Sequence, residues 1–225
     1  MTMPAIIRTK TRLASVAFIG ALGLAALTAC NNGTPGTTPD PTNGAPNGTP
    51  PNGAPTNGSD AAATATLRDA TGAEVGTATF TEADGALRVE ANVQTLEEGF
   101  YGFHIHGVGV CEPDSAAPDD PEDTGDFMSA GGHLGSDEGD HPEHQGDLPQ
   151  LLVMANGEGH LSFATDRVTM TDLTDEDGAA LMIHADPDNF ANIPERYAPG
   201  GPDDDTLSTG DAGDRLACGV IETAS

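Results

Sequence analysis

Eight short runs with a period of two are what most limits how this 225-residue chain can fold. They are ATATLRDA (63–70), EVGTATFTE (74–82), ALRVEANVQT (86–95), YGFHIHGV (101–108), LPQLLVMA (148–155), GHLSFATD (159–166), ALMIHA (180–185) and RLACGVIE (215–222). A strand turns successive side chains to opposite faces, so alternation marks a sheet with one face on a core. Turn chemistry in DATGAE, EADGA and NGEGH separates several of the runs. Helix signals are poor. Eight short strands in one domain predict an all-β sandwich or barrel. Residues 107–147 and 185–214 break the pattern and are rich in Gly, Pro and Asp. Irregular segments of that length in a compact domain are usually functional.

The N-terminal quarter cannot join such a core. MTMPAIIRTKTR carries Arg8, Lys10 and Arg12, and the charge-free apolar run LASVAFIGALGLAAL follows. This is the pattern of an export signal, and it is too short to be read as a transmembrane span. It ends in LTAC (27–30), which resembles the lipobox of bacterial lipoproteins. That resemblance implies a signal over 1–29, cleavage before Cys30 and a lipid on the Cys30 thiol; the alternative is an ordinary signal with a chance cysteine. Residues 31–59 repeat PNG and NGAP units without an aromatic residue. They cannot bury enough surface to offset the entropy of folding. Residues 30–59 are therefore expected to be a lipidated cysteine and a disordered linker, whose ends lie roughly 30 Å apart. Residues 60–225 are expected to be one domain tethered at the envelope of a bacterium, on its periplasmic or extracellular face.

The formal net charge is −28. Three of the eight basic residues lie in the signal, which leaves Arg68, Arg88, Arg167, Arg196 and Arg215. So acidic a surface argues against nucleic acid or anionic headgroups as partners, so membrane contact is expected through the lipid alone. With Cys30 assigned to the lipid, Cys111 and Cys218 remain. An even pair in an exported protein favours a disulfide over two metal-binding thiols. Its loop of about 107 residues is worth up to ~4.7 kcal/mol in the chain-entropy model.

Histidines fall at 104, 106, 133, 141, 144, 160 and 184. In GFHIHGVGVC, His104 and His106 point to one face of a strand, with Phe103 and Ile105 on the other. Such a pair is either a polar strand face or a chelate. His133, His141 and His144 lie in GGHLGSDEGDHPEHQGDLP with Asp147 three residues on, and His184 ends a strand in LMIHADPD. Imidazoles with one carboxylate suit zinc, and four imidazoles suit copper. His160, after a hairpin turn, reads as an exposed strand residue without a partner.

Taken in order, GFHIHGVGVC, SAGGHLG, HQGDLP, LMIHADPDN and GDAGDRLACGVI resemble copper/zinc superoxide dismutase in its bacterial exported form, over roughly residues 63–222. The resemblance implies a flattened eight-stranded Greek-key β-barrel with two long functional loops, and it implies Cu and Zn as cofactors. It gives His104, His106, His133 and His184 to copper, and His133, His141, His144 and Asp147 to zinc. His133 would bridge the two. Asp188 would link a copper ligand to a zinc ligand, Cys111 and Cys218 would form the loop-anchoring disulfide, and Arg215 would stand beside the copper. The implied reaction dismutates superoxide to dioxygen and hydrogen peroxide, with copper alternating between two oxidation states and His133 and Arg215 as catalytic residues. Its expected role is protection of the envelope from oxidative damage. Oligomeric state is not encoded in any of these features.

Two positions depart from the family. His144 follows His141 by only three positions, so the zinc loop is shortened, and Val110 stands where relatives often have a small or polar residue. A copper-only dismutase and a metal-holding protein without activity are the alternatives that metal analysis with a dismutase assay would separate. Arg215 is expected to gather the anion, so that salt slows the enzyme weakly.

Overall fold

The computed structural model describes residues 61–224. The signal, Cys30 and the whole of the linker lie outside them. The strands are β1 (Ala63–Asp69), β2 (Glu74–Ala83), β3 (Ala86–Val93), β4 (Gly99–Tyr101), β5 (Phe103–His106), β6 (Ser115–Ala116), β7 (Thr124–Gly125), β8 (Leu151–Val153), β9 (Gly159–Thr165), β10 (Ala180–His184) and β11 (Arg215–Thr223). Two short helices, α1 (Met170–Leu173) and α2 (Asp204–Thr209), lie in the connections.

Nine of the strands form one antiparallel sheet in the order β4-β8-β9-β3-β2-β1-β11-β10-β5. Its two edges, β4 and β5, are consecutive in the chain and only Gly102 separates them. The chain thus passes directly from one edge to the other, and the sheet is a nearly closed barrel. All eight expected runs become strands. The ninth arises because YGFHIHGV is split at Gly102, where an added Cβ would lie 2.5 Å from the Cβ of Ala212 and 3.2 Å from that of His184. The pairs β3/β9, β1/β11 and β5/β10 join strands distant in sequence, so connections cross the barrel ends in Greek-key fashion.

The alternation read from the sequence sets the core. In β3, Leu87, Val89, Ala91 and Val93 turn inward, to join Leu67, Phe80, Phe103, Ile105, Leu181 and Ile183. Burial of each large side chain stabilises the barrel by about 1.5–3 kcal/mol. Strands β5 and β10 differ, because both of their faces are buried. Their outer faces lie beneath the two long segments. There Ala180, Met182 and Cys218 meet Phe127 and Ala130 in a second apolar cluster outside the barrel. The expected disulfide joins Cys111 to Cys218, with Cα atoms 5.7 Å apart. Segment 107–130 is therefore fastened to the barrel by packing and by a covalent bond.

The helices were not legible as apolar stripes, since each is under two turns. Their signals are caps. Thr169 and Asp172 form a capping box on α1, while Asp203 caps α2 and Gly210 follows it at φ 62°.

Candidate metal centre

The free edge of β5 is covered by the first long segment rather than by another strand. Ile105 N–H donates to Gly146 C=O (2.9 Å), Leu134 N–H to Ile105 C=O (2.8 Å) and Gly107 N–H to Gly132 C=O (3.0 Å). This pairing sets His133 opposite His106 and Asp147 opposite His104. Across the other side, β10 pairs with β5 and delivers His184 from its last residue. A polar strand face is thereby excluded for the His104/His106 pair. Both rings are buried, together with His133, His141, His144, His184, Asp147 and Asp188.

Hydrogen bonds assign the tautomers, because a neutral imidazole has one N–H and one lone pair. Nε2 of His104 donates to Asp188 Oδ2, and Nε2 of His141 donates to Asp188 Oδ1, both at 2.9 Å. Nε2 of His144 donates to Gly139 C=O at 3.1 Å. In His104 and His144 Nδ1 is then a buried lone pair with no hydrogen-bond partner, and Nδ1 of His141 is likewise buried without a well-directed one. Nδ1 of His106 donates to Gly131 C=O at 2.8 Å and Nδ1 of His184 to Gly213 C=O at 3.1 Å. Their Nε2 atoms face each other at 3.3 Å. Two lone pairs at that distance repel unless they share a cation.

Asp147 gathers the remaining rings. Nδ1 of His133 and of His141 lie 2.8 and 3.0 Å from its Oδ1, and Nδ1 of His144 lies 3.2 Å from Oδ2. The last two approaches have distances within ion-pair range, yet those nitrogens make no well-directed hydrogen bond. Ligands that share one metal have that geometry. By mutual distance the tightest sets are His104, His133, His141 with Asp147, and His106, His133 with His184. His133 belongs to both. His104 stands between them, its ring centroid 4.1 Å from that of His133 and 4.9 Å from that of His184. His144 lies just outside the tight set, 5.5 Å from His133 and 5.8 Å from His141 between centroids.

Burial foremost, and then neighbouring rings and Arg215, hold His106 and His184 well below the usual histidine range. Burial also lowers His133 to about 4 despite Asp147. For His141, burial opposes the charge but Asp147 and Asp188 outweigh it and raise the ring to about 9. In turn, burial opposes ionisation of Asp147 and Asp188, and the rings that donate to them push both well below the usual carboxylate range. The site thus offers neutral nitrogens at one end and anionic oxygen at the other.

A cleft of about 950 Å³ opens onto His106, His133 and His184, and Arg215 lines it. The guanidinium is held by Phe127 C=O and Gly131 C=O, each at 2.7 Å. Gly131 C=O thus serves both the arginine and the ring of His106. The rest of the lining includes Asp123, Asp126, Asp205, Asp211 and Asp214. His160 lies apart on β9, exposed as expected, although it has a partner in Asn92 at 2.9 Å across the strand pair.

The sequence reading overlooked the backbone groups that orient the rings. The carbonyls of Gly131, Gly139 and Gly213 carry no side-chain signal. Gly210 had one, as the residue after a helix, but its closer duty is to leave room: an added Cβ would strike Asp188 and His141.

A nearly closed antiparallel barrel that carries two histidine-rich ligand sets sharing one ring defines a two-metal β-barrel protein. The chain belongs to the family described as copper/zinc superoxide dismutase (SODC), whose pattern matches residues 74–221. It is 43% identical over 226 aligned positions to the Cu-Zn superoxide dismutase of Mycobacterium tuberculosis, covering 94% of this chain and 93% of that one. The Cu-Zn superoxide dismutase of Escherichia coli K12 is 35% identical, over 67% of this chain and 80% of its own. Among solved structures, the Cu/Zn superoxide dismutase from Brucella abortus is 30% identical with a TM-score of 0.55, covering 71% of this chain and 98% of that one. The family uses copper and zinc, and the buried lone pairs of this site fit both.

Proposed function

We propose that the chain dismutates superoxide at a centre in which His133 joins copper to zinc. Copper would be held by Nδ1 of His104 and by Nε2 of His106, His133 and His184. Zinc would be held by Nδ1 of His133, His141 and His144 and by Asp147. The observation that carries this reading is the facing pair of Nε2 lone pairs on His106 and His184, 3.3 Å apart, with each ring's other nitrogen already bonded.

When bound, copper supplies one electron and takes one back, while zinc, which has no redox chemistry, holds charge in place. The residues do the rest. Two superoxide anions and two protons become one dioxygen and one hydrogen peroxide. The guanidinium of Arg215, fixed at two points, binds the anion at the mouth of the cleft. Nε2 of His133 holds a proton in one half of the cycle and delivers it to the reduced substrate in the other. Burial, which makes a charged ring unfavourable there, helps that proton leave. Asp188 fixes His104 and His141 so that neither ring turns as His133 changes state.

The cellular setting is part of the same proposal. The signal, the LTAC motif and the Gly/Pro linker support a domain lipidated at Cys30 and tethered at a bacterial envelope, which it protects from superoxide. Metal analysis with a dismutase assay on the purified domain tests the centre. Copper and zinc in equal amounts with activity are expected, and Asp147→Ala should lower zinc while copper stays. A wild-type protein with copper alone would overturn the bridged site. Cys30→Ala should release the protein from the membrane fraction at unchanged activity per molecule. A wild-type protein without lipid mass would overturn the anchor.

A further inference from the structure

The proposed zinc turn, His141 to Asp147, is tied at both ends. His141 N–H donates to Leu207 C=O at 2.7 Å, and Gly146 pairs with Leu134 and Ile105. Its middle is different. Glu143 N–H reaches back to Asp140 C=O, Pro142 has no N–H to give, and the His144 backbone is tied within the turn, its N–H to Asp147 Oδ2 and its C=O to Asp147 N–H. The shortened spacing makes His141 and His144 serve one centre from a turn whose middle is held by backbone bonds local to residues 140–147. One side chain from the barrel reaches this stretch: Arg167, two residues beyond β9. Its Nη1 donates to Pro142 C=O at 2.7 Å and, at 3.4 Å, to His144 C=O. Arg167 is itself placed by its own N–H on Thr165 Oγ1 at 3.2 Å and by the buried Val168 that follows.

Charge alone does not account for an arginine in this place. A guanidinium beside a site for a dication is repelled by it, and this region offers carboxylates nearby, in Asp140 and Glu143, that Arg167 does not pair with in any hydrogen bond or ion pair described. The guanidinium instead binds carbonyls of two residues on either side of Glu143, which is a geometric role. Fixing those carbonyls fixes the peptide unit that follows Pro142, the residue next to His141, and the one that follows the residue bearing the His144 ring.

The geometry points to Arg167 as a positioning residue for zinc, a clamp that does from the barrel what a longer loop would do with its own contacts. This rests on the zinc ligands proposed above. The clamp leaves the copper side alone, since neither carbonyl belongs to a copper ligand. Groups that orient metal ligands typically change metal affinity ten- to a hundredfold when removed.

The test uses the full domain, stripped of metal and titrated with copper and with zinc separately against competing chelators. Arg167→Gln should weaken zinc by about ten- to a hundredfold and leave copper affinity unchanged. Arg167→Lys, which keeps a cationic donor, should recover part of the loss. The side chain is exposed, so both variants should fold and melt close to wild type when metal-free. Wild-type zinc affinity in Arg167→Gln would overturn the clamp, and so would an equal loss of copper and zinc. A wild type that takes up no zinc at all would instead overturn the ligand set, and the clamp with it.

Discussion

One carboxylate oxygen of Asp188 accepts a hydrogen bond from Nε2 of His104 at 2.9 Å, and the other accepts from Nε2 of His141 at the same distance. A single buried side chain therefore fixes the tautomer of one ring on each side of the centre. Asp188→Ala should weaken both metals, zinc and copper alike, by about ten- to a hundredfold in chelator competition. The loop beside it should loosen too, because Phe190 N–H also donates to this carboxylate at 2.7 Å. A loss restricted to one metal would contradict the link.

The metal-free protein should be most stable near pH 6.5. His106, His133 and His184 have folded pKa values below their unfolded ones, with His133 near 4. The unfolded chain takes up those protons first, so stability falls as pH drops from about 6.5 toward 4. His141 is raised to about 9, so its contribution is complete below about 6.5 and is lost as pH rises through 9. Thermal melts of the stripped domain across pH 4–10 check this. A monotonic rise from pH 6.5 to 9 would refute the His141 assignment. Zinc should flatten the alkaline limb, because it takes the Nδ1 position that the proton leaves.

How far the sequence reached depended on what kind of interaction makes each feature. Period-two alternation is local, so all eight strands were legible, and so was the pairing of His104 with His106 on one face. Motif order placed His133, His184 and Arg215 at one centre. What escaped depends on contacts between distant backbone groups. Gly102 splits a strand because Ala212 and His184 crowd it from 80 residues or more away. The carbonyl of Gly131 orients His106 and Arg215 at once, which no spacing encodes. Arg167 stood out only as one of the five arginines beyond the signal, with nothing nearby in sequence to link it to Pro142.

Removing the disulfide should cost stability and also the fixed position of the arginine. Cys111 and Cys218 close a span of 107 residues, and loss of such a bond typically costs about 2–5 kcal/mol. Cys218 lies in the apolar cluster with Phe127, whose carbonyl holds Arg215. The variant with serine at both positions should unfold at lower denaturant and bind small anions at the centre more weakly. Unchanged anion affinity in a measurably destabilised variant would separate the two roles.

The acidic lining of the cleft should reverse the weak slowing by salt expected from Arg215 alone. Five carboxylates, on Asp123, Asp126, Asp205, Asp211 and Asp214, line the same opening as that one guanidinium. Two of them are engaged: Asp211 accepts from Asn189 and Thr206, and Asp126 accepts from Asp114 N–H. Hydrogen bonding does not remove their charge, and the whole domain adds to it. These five carboxylates are exposed while Arg215 is half-buried, so they act on an approaching anion through solvent, where the screening length is about 10 Å at 0.1 M salt. Arg215 acts at contact, where salt screens little. Salt should therefore weaken the repulsion more than the attraction, and kcat/KM should rise with ionic strength. Electrostatic guidance changes on-rates by roughly ten- to a thousandfold in strongly charged clefts, and a rise near the lower end is expected here, because one positive charge offsets part of the rim. Asp123→Asn with Asp205→Asn should raise the low-salt rate and flatten the response, whereas Arg215→Gln should lower the rate and leave the rise in place. Pulse-radiolysis rates over 0.01–0.5 M salt decide the matter, because the Debye length shrinks roughly sevenfold across that range. A wild-type rate that falls with salt would mean that Arg215 gathers substrate more strongly than its acidic surroundings repel it.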